Sequence, residues 1–373
     1  MLSVDLPTRA EITKLIGYRG SPSVSIYLRT TPVTQDAQAD RIELKNLLKS
    51  ATAEMAGAEA PKRSIDSIQL EVEALIDDDE FWAHQANSLA IFADPESIRT
   101  FRLPNHLTNL VEVSDRFHLK PLFRAVTFPH HAYLLPIGMG AVRLVEMTAD
   151  LPPQEIKVAD LPKGAADAAG RRSHIERKGN MSSGESTSEN ALLTRYARAV
   201  DQALRPSLAG HVRPLILVAA EPMASIFRSV CSYPHLAREV ISISADHTAD
   251  HQLAADARRV LDGIYAAEIS DLAEVYEKRK GQGRATADIA LAARAATFGA
   301  VDTLIVDMDA EVPGFIGDDD GNVTFAEQAD GKNYSVTDEI ARRAWTSGAR
   351  IVSARRADIP DGGLIAAILR YPF

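Results

Sequence analysis

The chain has 373 residues, enough for two or three domains that each bury a core. Its hydrophobic fraction of 46% and charged fraction of 25% exclude global disorder, and a single cysteine, Cys231, excludes an intramolecular disulfide or a multi-thiolate zinc site. The net charge of −10 excludes general affinity for polyanions, so any nucleic-acid contact has to be local.

That charge is uneven. Residues 1–118 carry 12 Lys and Arg against 18 Asp and Glu, residues 247–373 carry 14 against 21, and only residues 119–246 are basic, with 15 against 12. The first residues, Met1-Leu2-Ser3-Val4-Asp5-Leu6-Pro7, do not read as a secretory signal, and the most apolar stretches, 132–142 and 214–220, are too short to span a bilayer. A cytoplasmic protein without a membrane partner is expected.

In the first block, residues 8–16 read as a short capped helix, and Ser23–Arg29 alternates as a strand. A helical stretch over 36–55 places Ile42, Leu44, Leu47 and Leu48 on one side. Arg41, Lys45 and Lys49 fall at i, i+4 spacing on another, where a solvated face is the plain reading and an RNA contact the sharper one. A helix over 64–76 leads to strand-like runs at 88–93, 98–103 and 107–113, and the block closes at Phe117-His118.

The second block opens with strands at 132–135 and 141–146. Pro136-Ile137-Gly138-Met139-Gly140 between them suits a hairpin better than a phosphate loop, because no dinucleotide fingerprint or Gly-Lys-Ser/Thr follows. Residues 151–190 hold little that could be buried and are expected to be mobile; they contain Arg171-Arg172-Ser173-His174-Ile175-Glu176-Arg177-Lys178. Order resumes with an amphipathic helix over 190–204, a strand at 214–219, a helix over 222–230 and a strand at 240–244, an alternating α/β pattern.

The third block starts with a long helix over 251–277, broken by Lys278-Arg279-Lys280-Gly281-Gln282-Gly283-Arg284. A helix over 286–298, a strand at 301–306, a turn-rich hairpin over 318–325, a helix over 336–347 and strands at 350–353 and 363–371 complete it.

The third block carries the most specific pattern. Phe298-Gly-Ala-Val-Asp-Thr-Leu-Ile-Val306, Ala341-Arg-Arg-Ala-Trp-Thr-Ser-Gly-Ala-Arg-Ile-Val352 and Gly362-Gly-Leu-Ile-Ala-Ala-Ile-Leu-Arg-Tyr371 resemble the C-terminal domain of archaeal and eukaryotic class-1 peptide release factors and of Pelota. Physically, Gly299 and Gly348 can end helices in the left-handed region ahead of buried strands. The middle block fits the same family, and Ser23 to Leu28 with Arg41 to Leu48 resembles its early strand and helix. The chain is thus similar to a bacterial member of the archaeo-eukaryotic release factor-like group.

The resemblance implies a mixed α/β chain of three domains. These are an N-terminal αβ domain over 1–118, a ribonuclease-H-like middle domain over 119–246 with its loop at 151–190, and a ribosomal-protein-L7Ae/L30e-like αβα sandwich over 247–373. It also implies the ribosome's rRNA and tRNA site as partner, with a translational GTPase as escort. Release factors of this family hydrolyse peptidyl-tRNA through a Gly-Gly-Gln at the tip of the middle loop. Here no glutamine lies between Glu155 and Asp201, and the one Gly-Gly, Gly362-Gly363, is in the third block. Gln282 reads as part of a helix-ending loop. The codon-reading Asn-Ile-Lys-Ser tetrapeptide is missing from the first block. Pelota-type proteins also lack Gly-Gly-Gln and act by occupying the A site, the precedent that suits this sequence better.

The expected site is therefore an RNA-binding loop without catalytic residues, cofactor or metal. Arg171, Arg172, Arg177 and Lys178 would contact phosphates, and Gly179, Gly184 and Glu185 would form the tip. Rescue, termination-like or dormancy action follows from the resemblance. The alternatives are an RNA-directed hydrolase drawing on Glu146, Asp160, Asp201, Glu221 and Asp246, and a protein-binding scaffold off the ribosome.

Other candidates have plain readings. His247 and His251 at i, i+4 lack a zincin glutamate and read as capping or surface residues. Asp318 to Glu327 has a calcium-loop rhythm, but position one would be Ile316, so it reads as a polar hairpin turn. Ser186, Thr187 or Ser188 is expected to cap the helix beginning near Asn190, and Cys231 to be a buried small residue.

Overall fold

The structure, a computed structural model, describes all residues except 1–3, 33–36, 128–130, 149–150, 170–184, 245–247, 308 and 329–332. The fold is mixed α/β, and contacts group the chain into two compact units, Met1–Pro129 with Ala267–Phe373, and His130–Ala266.

The first block begins with α1 (Arg9–Gly17), nucleated by a capping box in which Glu11 N–H donates to the Thr8 hydroxyl and Thr8 N–H donates to the Glu11 carboxylate at 2.8 Å. It continues through β1 (Ser23–Arg29), α2 (Ala37–Gly57), α3 (Lys62–Asp77), α4 (Asp79–Trp82), β2 (Ser88–Asp94), β3 (Ser97–Leu103), β4 (Leu110–Ser114) and α5 (Lys120–Thr127). The sheet order is β3-β2-β1-β4, all antiparallel. Successive residues of β1 serve opposite faces. Val24, Ile26 and Leu28 pack with α2 and α3, while Tyr27 points to the other face with Phe92 and Phe117.

The unit His130–Ala266 contains β5 (His131–Pro136), β6 (Leu144–Thr148), β7 (Gln154–Ile156), α6 (Ala165–Ala169), α7 (Glu185–Leu208), β8 (Leu215–Val218), α8 (Met223–Val230) and β9 (Leu236–Ile241). Its sheet runs β7-β6-β5-β8-β9, with antiparallel pairs through β5 and parallel pairs from β5 to β9. Tyr133, Leu135, Leu215 and Leu217 face α7 and α8. Ala132, Leu134, Ile216 and Val218 face Leu253, Ala257 and Leu261 of α9 (Asp250–Lys280). This helix continues past 266, where Tyr276 joins the core of the other unit.

The third block adds β10 (Ala285–Thr286), α10 (Ile289–Thr297), β11 (Val301–Asp307), β12 (Pro313–Ile316), β13 (Val323–Phe325), β14 (Tyr334–Ser335), α11 (Val336–Thr346), β15 (Arg350–Ala354) and β16 (Ile365–Leu369). Its main sheet is β10-β16-β11-β15. Leu304 and Val306 face α10 and α11, and Ile305 faces Tyr276, so helices lie on both sides. Gly299 and Gly348 sit at φ 69° and 82°, ending α10 and α11 as expected.

The first and third blocks share one core. Tyr27, Phe92 and Phe117 cluster with Ile340, Ala341 and Ala344 of α11. Beside them Glu339, 1% exposed, lies 2.9 Å from both Arg116 and Arg343, and Arg342 donates to the carbonyl oxygens of Ile16 and Phe117.

Several expectations need correction. Residues 151–169 are structured: β7 extends the sheet edge, Leu151 and Ala165 are buried, and α6 packs on α7. The strand expected at 240–244 is β9, four residues earlier, because its register with β8 starts at Leu236. The backbone of α7 begins at Glu185, so Ser186 to Ser188 lie inside the helix and not at its cap. The short helix α5 had no reading at all. Among the described residues no helix is long and apolar enough to cross a membrane.

Candidate nucleic-acid interface

The start of α6 is anchored at the end of the middle sheet where β5 and β8 finish, the end at which open α/β sheets present ligand-binding loops. The two stems of the α6–α7 connection are fixed. The hairpin between β5 and β6 closes with Gly138 N–H donating to the Ala141 carbonyl at 2.8 Å and an Ile137–Val142 bridge, as read from its glycines. Ala165 N–H then donates to the Met139 carbonyl at 3.0 Å. A Cβ on Gly164 would stand 2.8 Å from the Gly140 carbonyl oxygen, so only glycine allows this approach. The second stem, α7, is held by buried Leu193, Tyr196, Ala197, Val200 and Leu204. Its outer face carries exposed Arg195 and Arg198, one turn apart, at the middle of the helix.

Arg171, Arg172, Arg177, Lys178, Gly179 and Gly184 lie outside the described residues. Glu185 is the first residue of α7. The structure thus fixes where the basic run departs and returns, at Ala169 and Glu185. Arg195 and Arg198 extend the positive charge onto ordered helix, an addition that the helical spacing Arg195-x-x-Arg198 could have signalled.

At the opposite end of β5 is a polar cluster that sequence reasoning missed. His131 Nε2 lies 2.8 Å and Arg213 Nη1 2.5 Å from the Glu146 Oε1, and the Arg213 guanidinium lies over the Tyr133 ring at 5.6 Å. The hydrogen bond to His131, with the charge of Arg213, holds the Glu146 carboxyl below its usual range. His131 and Arg213 are 82 positions apart and meet because Tyr133 pairs with Glu146 across β5 and β6 and with Leu215 across β5 and β8. Nearby, a cavity of about 210 Å³ is lined by Asp201, Leu204, His211, Cys231 and Tyr233. Asp201 accepts from Ser232 N–H at 2.7 Å and pairs with Arg205 at 2.8 Å, and burial pushes the half-buried Cys231 thiol up, away from thiolate chemistry.

The acidic residues that a metal-dependent nuclease would need do not converge. Glu146 pairs with His131 and Arg213, Asp201 with Arg205, and Glu221 accepts from Ser225, while Asp246 lies outside the described residues. Among the described residues no group of three or more His, Cys, Asp or Glu is arranged to hold a metal ion. His247 lies outside them, and 318–322 forms the turn between β12 and β13, with Asn322 N–H donating to Asp320 at 3.0 Å.

Residues 129–267 match the family model described as bacterial archaeo-eukaryotic release factor family 11. The matched segment coincides with the compact unit His130–Ala266 to within a residue at either end. The release-factor resemblance is thereby shown for this segment. No curated protein matches the chain. Among solved structures, an archaeal translation termination factor, aRF1, aligns at 15% identity over 98% of this chain and 99% of its own, with a TM-score of 0.25. Archaeal Pelota, from a model of ribosome-bound Pelota and ABCE1, aligns at 15% over 74% and 72%, with a TM-score of 0.42. Archaeoglobus fulgidus Pelota aligns at 12% over 99% and 94%, with a TM-score of 0.36.

Proposed function

We propose that this chain, whose residues 129–267 are those of a bacterial release factor family, is a cytoplasmic, ribosome-associated factor. It occupies an rRNA and tRNA site through the α6–α7 connection and acts in rescue, termination-like or dormancy control without Gly-Gly-Gln catalysis. The observation that carries this is the coincidence of the family segment with one compact unit in which the chain between α6 and α7 holds the basic run Arg171, Arg172, Arg177 and Lys178 and no glutamine. The strand order β7-β6-β5-β8-β9, antiparallel then parallel, supports a ribonuclease-H-like layout for that unit. Division into blocks 1–118, 119–246 and 247–373, and escort by a translational GTPase, belong to the same proposal.

In this reading Arg and Lys supply phosphate contacts and counterion release, which give affinity and a steep salt dependence without chemistry at an ester. Co-sedimentation with ribosomes at moderate salt tests it. Pelleting with empty, stalled or stationary-phase ribosomes is the expected result, and recovery only in the supernatant with all three overturns it.

A further inference from the structure

We infer that the end of α9 carries a second, independent RNA-backbone contact, formed by Lys278, Arg279, Arg355 and Arg356. Residues 278–287 contain four cations and no acid, although the block around them is strongly acidic. The helix stops in a tight turn in which Gly283 N–H donates to the Lys280 carbonyl and Arg284 N–H to the Arg279 carbonyl, with Gly283 at φ 69°. This leaves Gln282 exposed at the tip.

A second segment is fastened to the same helix end. The Tyr276 hydroxyl donates to Asp361 at 2.8 Å, and Lys280 Nζ lies 2.7 Å from both Asp361 oxygens. Asp361 adopts φ 60°, an unfavourable region for a non-glycine residue, and these contacts hold it there. Ile359 is buried beside Tyr276, so the two short 3₁₀ turns Arg356–Asp358 and Pro360–Gly362 are clamped to the helix. The clamped segment carries exposed Arg355 and Arg356, with exposed Asp358 on the same turn. The side chains of Lys278, Arg279, Gln282, Arg355 and Arg356 make no ion pair or hydrogen bond among the described residues.

Cations in a last helical turn offset the helix dipole, which accounts for Lys278 to Lys280. It does not account for Arg355 and Arg356, which lie off the helix on the segment that Ile359 and Asp361 fasten to it. Unpaired arginines on a segment clamped to a basic helix end suit the closely spaced phosphates of an RNA strand. The choice of RNA over another polyanion rests on the functional proposal above; the existence of the site does not.

The test uses the full chain and a 20-base-pair RNA duplex, with affinity read from 50 to 200 mM KCl. The variant K278A/R279A/R355A/R356A is expected to bind roughly tenfold more weakly at 100 mM, with a salt slope shallower by about 2 to 4. The charge-conserving variant K278R/R279K/R355K/R356K is expected to keep both. If the alanine variant binds like wild type while R171A/R172A/R177A/K178A loses binding, this site is refuted and the middle-loop proposal stands. The reverse pattern supports this site and refutes the loop. Absence of RNA binding by wild type, or equal competition by polyglutamate, overturns the inference.

Discussion

The carbonyl oxygen of Gly140 and the Cα of Gly164 approach so closely that a Cβ on Gly164 would lie 2.8 Å from that oxygen, with the Met139 carbonyl at 2.9 Å. Both obstacles are backbone, so neither can move without disturbing the hairpin. G164A is therefore expected to destabilise the middle unit by about 1 to 3 kcal/mol, visible as a lower thermal midpoint. Gly57, with nothing within 4 Å, supplies the contrast. G57A should leave stability unchanged or raise it by about 0.4 to 1 kcal/mol, because it restricts the unfolded chain at no steric cost. Equal thermal midpoints for G164A and wild type would show that the close approach is not required.

The buried Glu339 is held by Arg116 and Arg343 at 2.9 Å, with Arg19 at 3.4 Å and Arg342 at 3.7 Å. Burial alone would raise its pKa, but the arginines hold the carboxyl below its usual range. Removing the negative partner leaves the guanidinium groups of Arg116, Arg342 and Arg343, each at most 12% exposed, without the carboxylate between them. E339Q is expected to cost about 3 to 5 kcal/mol, read as a lower urea midpoint with the transition slope unchanged. A midpoint within error of wild type would show that the arginines find other partners.

How far the sequence announced this arrangement depended on whether the signal was local. Thr8 and Glu11 in a capping box, Gly299 and Gly348 ending helices and the glycines of 136–140 each specify their own turn, and each is seen. The common core was not legible. Tyr27 and Ile340 are 313 positions apart in chain numbering, and nothing in either segment indicates that they meet. The strand β7 was missed because Gln154 and Glu155 are exposed at the sheet edge, where the apolar alternation of a half-buried strand is absent. For the candidate site, the charge pattern located the basic run, but only the packing of Gly164 against the hairpin fixes where its chain departs.

A pH dependence follows from Glu112 on β4. Desolvation, with the nearby carboxylates Glu311, Asp338 and Glu54 opposing the charge of His118, pushes its carboxyl up to about 7. In the unfolded chain the same group titrates near 4.3. Between these values the folded state binds the proton more tightly, so this group stabilises the fold below about pH 4 and that contribution is lost as pH rises to 7. E112Q is expected to flatten the decline between pH 5 and 7 and to raise stability at pH 8 by on the order of 1 to 3 kcal/mol. Denaturation midpoints at pH 5, 6, 7 and 8 check this. Parallel pH profiles for the variant and wild type would assign the titration to another group.

The last prediction concerns the basic run between α6 and α7. Arg171, Arg172, Arg177 and Lys178 occupy four of the eight positions from 171 to 178, with Glu176 the one acid among them. Each phosphate neutralised by such a cation releases counterions and adds about 0.7 to 0.9 to the salt slope of binding. R171A/R172A/R177A/K178A is expected to weaken ribosome binding and to make its salt dependence shallower by as much as roughly 3 to 4. Arg195 and Arg198, on the ordered face of α7, should contribute to the same field, so R195A/R198A is expected to act in the same direction with a smaller effect. A single-turnover assay with peptidyl-tRNA in programmed ribosomes supplies the chemical half of the test. Wild type is expected to release no peptide, since this connection holds no glutamine to place a water at the ester. Peptide release that disappears in E185A would instead give Glu185 that task and overturn the non-catalytic proposal. Unchanged affinity and slope in the four-site variant would leave the connection without an RNA partner.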